Sequence, residues 1–142
     1  MAIVQEGEDG AADRKPISKP ARILVVEDDQ ASRRLVTAIL ELEGYDVEVA
    51  TTAAQASRLI IERGPDLILM DVQLPGEDGL SFTRRLKADP LTAGIPIVAV
   101  TALVTSGDRE RTIAAGCDGY LAKPVDTRTF ASDIRRFLRS TA

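Results

Sequence analysis

The sequence predicts an α/β fold, five parallel strands in one sheet with a helix after each, doubly wound into a three-layer (βα)5 sandwich. Three observations lead there. Short apolar runs without alternation, ILVV at 23–26, LILM at 67–70 and IPIVAV at 95–100, suit strands buried on both faces. Between them lie segments whose apolar residues recur at helical spacing. The two kinds of segment alternate five times, at roughly 20–25 residues per unit, which is a strand plus its crossover helix.

Taken in order, residues 1–20 (MAIVQEGEDGAADRKPISKP) mix glycine, charges and two prolines without periodicity. A flexible tail is expected there, ahead of one domain over 21–142. The first strand starts at Arg22. From Ala31, the apolar residues Leu35, Ala38, Ile39 and Leu42 mark a helix that Gly44 stops. Tyr45, Val47 and Val49 alternate with Asp46 and Glu48, as in a half-exposed edge strand. Residues 53–63 read as helix, ended by Gly64-Pro65, and LILM then runs into Asp71. Residues 80–87 carry Phe82 and Leu86 at i, i+4. The run 95–100 ends at Thr101, and 106–115 is a polar, thinly apolar helix stopped by Gly116. Tyr120-Leu121-Ala122 is the last strand, followed by Lys123-Pro124. The final helix is expected to bury Phe130, Ile134, Phe137 and Leu138. Four residues follow Leu138, so no attached output domain is expected.

Composition narrows the function. With 142 residues, 44% hydrophobic and 28% charged, the chain is of ordinary globular make-up, which excludes wholesale disorder. No apolar run approaches the ~18 residues of a membrane span, and the acidic start MAIVQEGEDG lacks the apolar core of a secretory signal. The single cysteine, Cys117, forms no internal disulfide, and a cytoplasmic protein is expected. Eighteen basic against 22 acidic residues leave −4, a balance unsuited to nucleic acid as the main partner. There is no histidine, so Ser-His-Asp and Cys-His catalysis are excluded within the chain. Any phosphohistidine must come from a partner.

In a doubly wound sheet, ligands bind outside the carboxyl ends of the strands. Glu27, Asp28 and Asp29 follow the first strand, Asp71 the third, Thr101 the fourth and Lys123 the fifth. Crowded carboxylates repel unless a cation neutralises them, and a hard divalent ion such as Mg²⁺ suits oxygen ligands beside a phosphoryl group. No glycine-rich phosphate loop follows any strand. An aspartate can itself accept a phosphoryl group, and Asp71, central in the sheet, is the candidate.

The motifs ILVVEDD, LILMDVQLPGEDGL, VAVTA and GYLAKP, in that order and spacing, resemble the response-regulator receiver domains of two-component signalling. The likeness covers about residues 21–139 and is greatest to single-domain, DivK-like members. It implies the flavodoxin-like sheet order 2-1-3-4-5 and Mg²⁺ as cofactor. Asp71 would be the phosphoacceptor. Glu27 and Asp28 would serve the metal together with Asp71 and the Gln73 backbone carbonyl. Lys123 would pair with the phosphoryl group and Thr101 would hydrogen-bond it. Thr101 and Tyr120 would form the switch, and Lys123-Pro124 a cis-peptide turn. The implied partners are a histidine kinase or histidine phosphotransfer protein and a downstream protein target on the 106–139 face, with no nucleic acid or membrane. The chain would then be no enzyme beyond its own phosphoryl transfer and slow autodephosphorylation. Leu103, apolar and two residues after Thr101, orients no water, which is the basis for expecting slow hydrolysis.

Competing readings weaken on the same residues. An aspartate-nucleophile phosphatase carries a second acid two residues on, where Gln73 stands. An FMN carrier needs Ser, Thr or Gly in place of Glu27-Asp28-Asp29. A phosphorylation-independent pseudo-receiver typically lacks a pocket residue, and none is lacking. Asp29 reads best as a plain helix cap, and the arginines of the last helix as a solvated face favoured by its dipole.

Overall fold

The computed structural model describes residues 19–102 and 105–139. The tail expected over 1–20 therefore lies almost wholly outside the described residues, as does Leu103. The elements are β1 (Arg22–Val26), α1 (Gln30–Leu42), β2 (Asp46–Ala50), α2 (Ala53–Arg63), β3 (Leu67–Met70), α3 (Gly79–Ala88), β4 (Ile97–Thr101), α4 (Ser106–Ala114), β5 (Gly119–Ala122) and α5 (Phe130–Arg139). The strands form one sheet in the order β2-β1-β3-β4-β5, every pair parallel. That is the expected 2-1-3-4-5 doubly wound α/β sandwich.

Side-chain alternation divides the apolar runs between two cores. Ile23, Val25, Leu67, Leu69, Val98 and Val100 pack against Val36 and Leu40 of α1 and Phe130 and Ile134 of α5. Leu24, Val26, Ile68, Met70, Ile97 and Ala99 face α2 and α3, where Phe82 is fully buried. Burial on both faces is why these runs show no alternation. The helix α4 contributes a single buried residue, Thr112, as its thin apolar content suggests.

Two readings, in α5 and at Thr101, need correction, and two, in α1 and β2, hold with their exposed residues now specified. The buried stripe of α1 is Val36 and Leu40, whereas Leu35 and Leu42 are exposed, Leu42 at 87%. Four apolar residues fit a helical period, but the sheet takes the pair that is four apart and one step out of phase. On the edge strand β2, Val49 is more exposed than Glu48, and Arg63 lies along that strand, pairing with Asp46 at 3.6 Å and Glu48 at 3.2 Å. In α5, Phe130 and Ile134 are buried, while Phe137 and Leu138 are half-buried. Thr101 is the last residue of β4 rather than the residue after it, and the strand starts at Ile97.

Helix ends follow local chemistry. Asp29, Thr52 and Asp78 accept amide hydrogen bonds from Ser32, Gln55, and Leu80 and Ser81 respectively. Such caps satisfy donors that a helix start leaves unpaired. Gly64 closes α2 with φ 60°, a left-handed conformation that favours glycine.

Candidate functional site

Three backbone anchors fix the floor of the site at the carboxyl ends of the strands. The Glu27 amide donates to the Ala50 carbonyl at 2.9 Å, the Asp71 amide to Val26 at 3.0 Å, and the Lys123 amide to Thr101 at 3.0 Å. The Lys123–Pro124 peptide is cis. The geometry thus brings the ends of β1, β3, β4 and β5 together.

Lys123 is the hub. Its Nζ stands 2.6 Å from Glu27 Oε1 and 3.1 Å from Asp71 Oδ2. Glu27 is 4% exposed and Asp71 6%, so two carboxylates share one ammonium away from water. Their remaining oxygens are held by short backbone turns. Glu27 Oε2 accepts from the Asp29 amide at 3.0 Å, and Asp71 Oδ1 from the Gln73 amide at 3.0 Å.

The electrostatics follow from that crowding. Burial first, then the Asp71 carboxyl beside it, pushes Glu27 up from 4.5 to about 7, although Lys123 pulls the other way. Burial would lower Lys123, but Glu27 and Asp71 outweigh it and hold the ammonium above its ordinary range. At the rim, Asp29 is held low chiefly by the Ser32 amide.

Thr101 is fully buried at the end of β4. Tyr120 pairs with Ala99, and Ala122 with Thr101. Thr101 and Tyr120 therefore share one sheet face, two residues apart along the strands. Tyr120 is half-buried against the core, and its hydroxyl is buried without a hydrogen-bond partner. A buried hydroxyl in that state costs free energy, which suits a side chain with a second position to occupy.

The acidic residues do not form a closed metal cage. Asp28 and Gln73 are exposed at the rim, and no three acidic, histidine or cysteine side chains gather round one point among the described residues. Lys123 instead draws Glu27 and Asp71 inward. The donor chemistry still fits a hard divalent ion. Two buried carboxylates have one cation between them, a third carboxylate stands next in sequence, and every side-chain donor is oxygen.

One contributor escaped the sequence reading. The Arg33 guanidinium donates to the carbonyls of Glu27 at 3.2 Å and Asp28 at 3.1 Å, tying α1 back onto the acidic loop. A basic residue in the first turn of a helix opposes the dipole, and that anomaly was a usable signal.

The sequence model for the response regulator receiver domain matches residues 23–135. The chain belongs to the response-regulator receiver family. It is 38% identical over 119 residues to the polar-differentiation response regulator DivK of Brucella anthropi, covering 84% of this chain and 97% of DivK. It is 39% identical to the DNA-binding dual master transcriptional regulator RpaA of Synechocystis, covering 84% of this chain but spanning about half, 50%, of RpaA. Among solved structures, it superposes on the receiver domain of a sensor histidine kinase from Pseudomonas aeruginosa with TM-score 0.78 and 36% identity. That match covers 85% of this chain and 99% of the other, which holds a magnesium ion in its active-site cleft. This receiver is thus a component of two-component signal transduction, not a conventional enzyme, and a cognate histidine kinase is its implied partner. No helix among the described residues is long and apolar enough to cross a membrane.

Proposed function

We propose that this receiver is a phosphorylation-controlled switch in which Asp71 accepts a phosphoryl group from a partner's phosphohistidine, with Mg²⁺ at Glu27, Asp28, Asp71 and the Gln73 carbonyl. The observation that carries this is the Lys123 bridge between two buried carboxylates, one of them at the end of the central strand β3. A bound Mg²⁺ would supply charge neutralisation for the transferring oxygens.

The chain's own groups do the rest. An Asp71 carboxylate oxygen attacks phosphorus, the P–N bond to the donor imidazole breaks, and the released nitrogen takes up a proton. The product is an aspartyl-phosphate. Lys123, already 3.1 Å from Asp71 Oδ2, neutralises the added charge, and the Thr101 hydroxyl hydrogen-bonds a phosphoryl oxygen. Movement of Thr101 frees the space beside it on the shared sheet face, and Tyr120, whose hydroxyl has no partner, turns to use it. The face formed by residues 106–139 then changes its affinity for a protein target. Helix α4, with one buried residue, is the soft element.

The near-complete coverage of DivK supports a regulator of the DivK kind that signals by protein contact. Its place is the cytoplasm, where ATP charges the histidine donor. The test is labelling by acetyl phosphate with Mg²⁺. Wild type should gain one phosphoryl group and Asp71→Asn none. Equal labelling of both refutes the assignment, and no labelling of either, even by histidine kinases, favours a phosphorylation-independent module.

A further inference from the structure

We propose that Gly79 is a positioning residue for phosphoryl acceptance: its missing side chain lets the first turn of α3 lie against the Asp71–Val72 peptide and so fixes where the Asp71 carboxylate stands. This rests on Asp71 being the phosphoacceptor and concerns what holds it in place.

A Cβ at position 79 would lie 2.2 Å from the Asp71 carbonyl oxygen, 2.8 Å from Val72 Cα and 3.0 Å from the Asp71 carbonyl carbon. All three are backbone atoms, so no side chain can swing aside. Gly79 is not among the glycines with positive φ. Glycine is needed here for space, not for an unusual conformation. The contact is also bonded, since the Gly79 amide donates to the Val72 carbonyl at 2.8 Å.

The other side of the Asp71 peptide has no slack. Its amide is hydrogen-bonded to Val26 of β1 at 3.0 Å, and the side chain is tied to Gln73 and Lys123. The peptide is held between β1 on one side and α3 on the other. Asp78 holds α3 in that place, because its Oδ1 takes the Leu80 and Ser81 amides at 2.9 Å each. With the Gly79, Leu80 and Ser81 donors all engaged, the helix end acts on the site by contact and not by binding anions.

A methyl group at 79 needs ordinary contact of about 3.4 Å in place of 2.2 Å, so the 71–72 backbone or the start of α3 must move about 1 Å. Displacement on that scale costs about 100-fold where reacting groups must be aligned.

The experiment compares Gly79→Ala with Gly119→Ala. Gly119 opens β5, at the far end of that strand from Lys123, and a Cβ there would lie 2.3 Å from Phe137 Cε1. Both variants crowd a packed contact, but only one crowds Asp71. Three quantities are read on the full chain: the acetyl phosphate labelling rate with Mg²⁺, the thermal midpoint, and the amide resonance of Gln73. Gly79→Ala should label at least ~10-fold more slowly and shift the Gln73 amide. Gly119→Ala should lose thermal stability yet label within about twofold of wild type, with Gln73 unmoved. Should Gly79→Ala be unfolded in buffer, the comparison is made in trimethylamine N-oxide, which favours the compact state.

Labelling of folded Gly79→Ala at the wild-type rate, or equal slowing in both variants, overturns the proposal for Gly79 alone. Labelling of Asp71→Asn overturns the acceptor assignment and this proposal with it.

Discussion

Replacing Glu27 by glutamine is expected to stabilise the metal-free protein at pH 8. The Glu27 side chain is 5% exposed, and its carboxyl is pushed up from 4.5 to about 7 by burial and then by Asp71. A carboxyl with a raised folded-state pKa keeps a proton that the unfolded chain has already released. Stability therefore falls as pH climbs from about 4.5 to about 7. At about 1.4 kcal/mol per pH unit, the gap amounts to on the order of 3 kcal/mol above pH 7 and nothing below pH 4.5. Glutamine keeps the shape and one acceptor oxygen, but it cannot accept from both Lys123 and the Asp29 amide. That lost hydrogen bond costs about 1 kcal/mol, leaving a net gain on the order of 2 kcal/mol. The assay is urea unfolding followed by far-UV circular dichroism in EDTA, at pH 8 and at pH 5. The variant should be the more stable at pH 8, with the advantage gone at pH 5. Added Mg²⁺ should then stabilise wild type by mass action and the variant less. A variant no more stable than wild type at pH 8, or an advantage that persists unchanged at pH 5, refutes the reasoning.

The other predictions follow from the same geometry. Lys123→Ala should still accept a phosphoryl group at Asp71 but lose the phosphorylation-dependent shifts of the Thr101 and Tyr120 amide resonances; retention of those shifts would count against Lys123 as the coupling residue. Cys117 is buried, and burial raises its thiol from 9.0 to about 11. Its alkylation at pH 8 should be at least ~10-fold slower in the folded protein than in urea. The same shift makes stability fall from about pH 9 to about pH 11, since only the unfolded chain releases that proton in this window. Rapid native-state alkylation would contradict the burial.

The apolar runs made β1, β3 and β4 legible, because burial on both faces leaves no polar residue to interrupt them. Asp71, directly after LILM, was legible for the same reason, since a charge can follow such a run only where the strand leaves the core. Phase was harder to read. In α1, Leu35 and Val36 are both apolar, and only the docking of the helix on the sheet decides that Val36 is the buried one. On β2, Glu48 is half-buried in an ion pair with Arg63 while Val49 is exposed. Long-range pairing of that sort leaves no periodic trace. The clamp of Lys123 on Glu27 and Asp71 is likewise a matter of side-chain reach across three strands, and strand order alone could not say whether a lysine or a metal ion would join the two acids.

That clamp links the fold to its function. Glu27 and Asp71 are costly to bury because burial strips them of water and, secondarily, because they repel each other, and the two-sided core of β1 and β3 keeps them together nonetheless. A sheet exposed on one face could relieve the repulsion by letting the strand ends part. Here Val26 and Met70 are paired in register immediately before the two acids, and the Asp71 amide is bonded to Val26, so the charges stay close and await further positive charge. The site's capacity to take a cation and a phosphoryl group and its cost to stability have one cause, which is why the same substitution should improve the second while impairing the first.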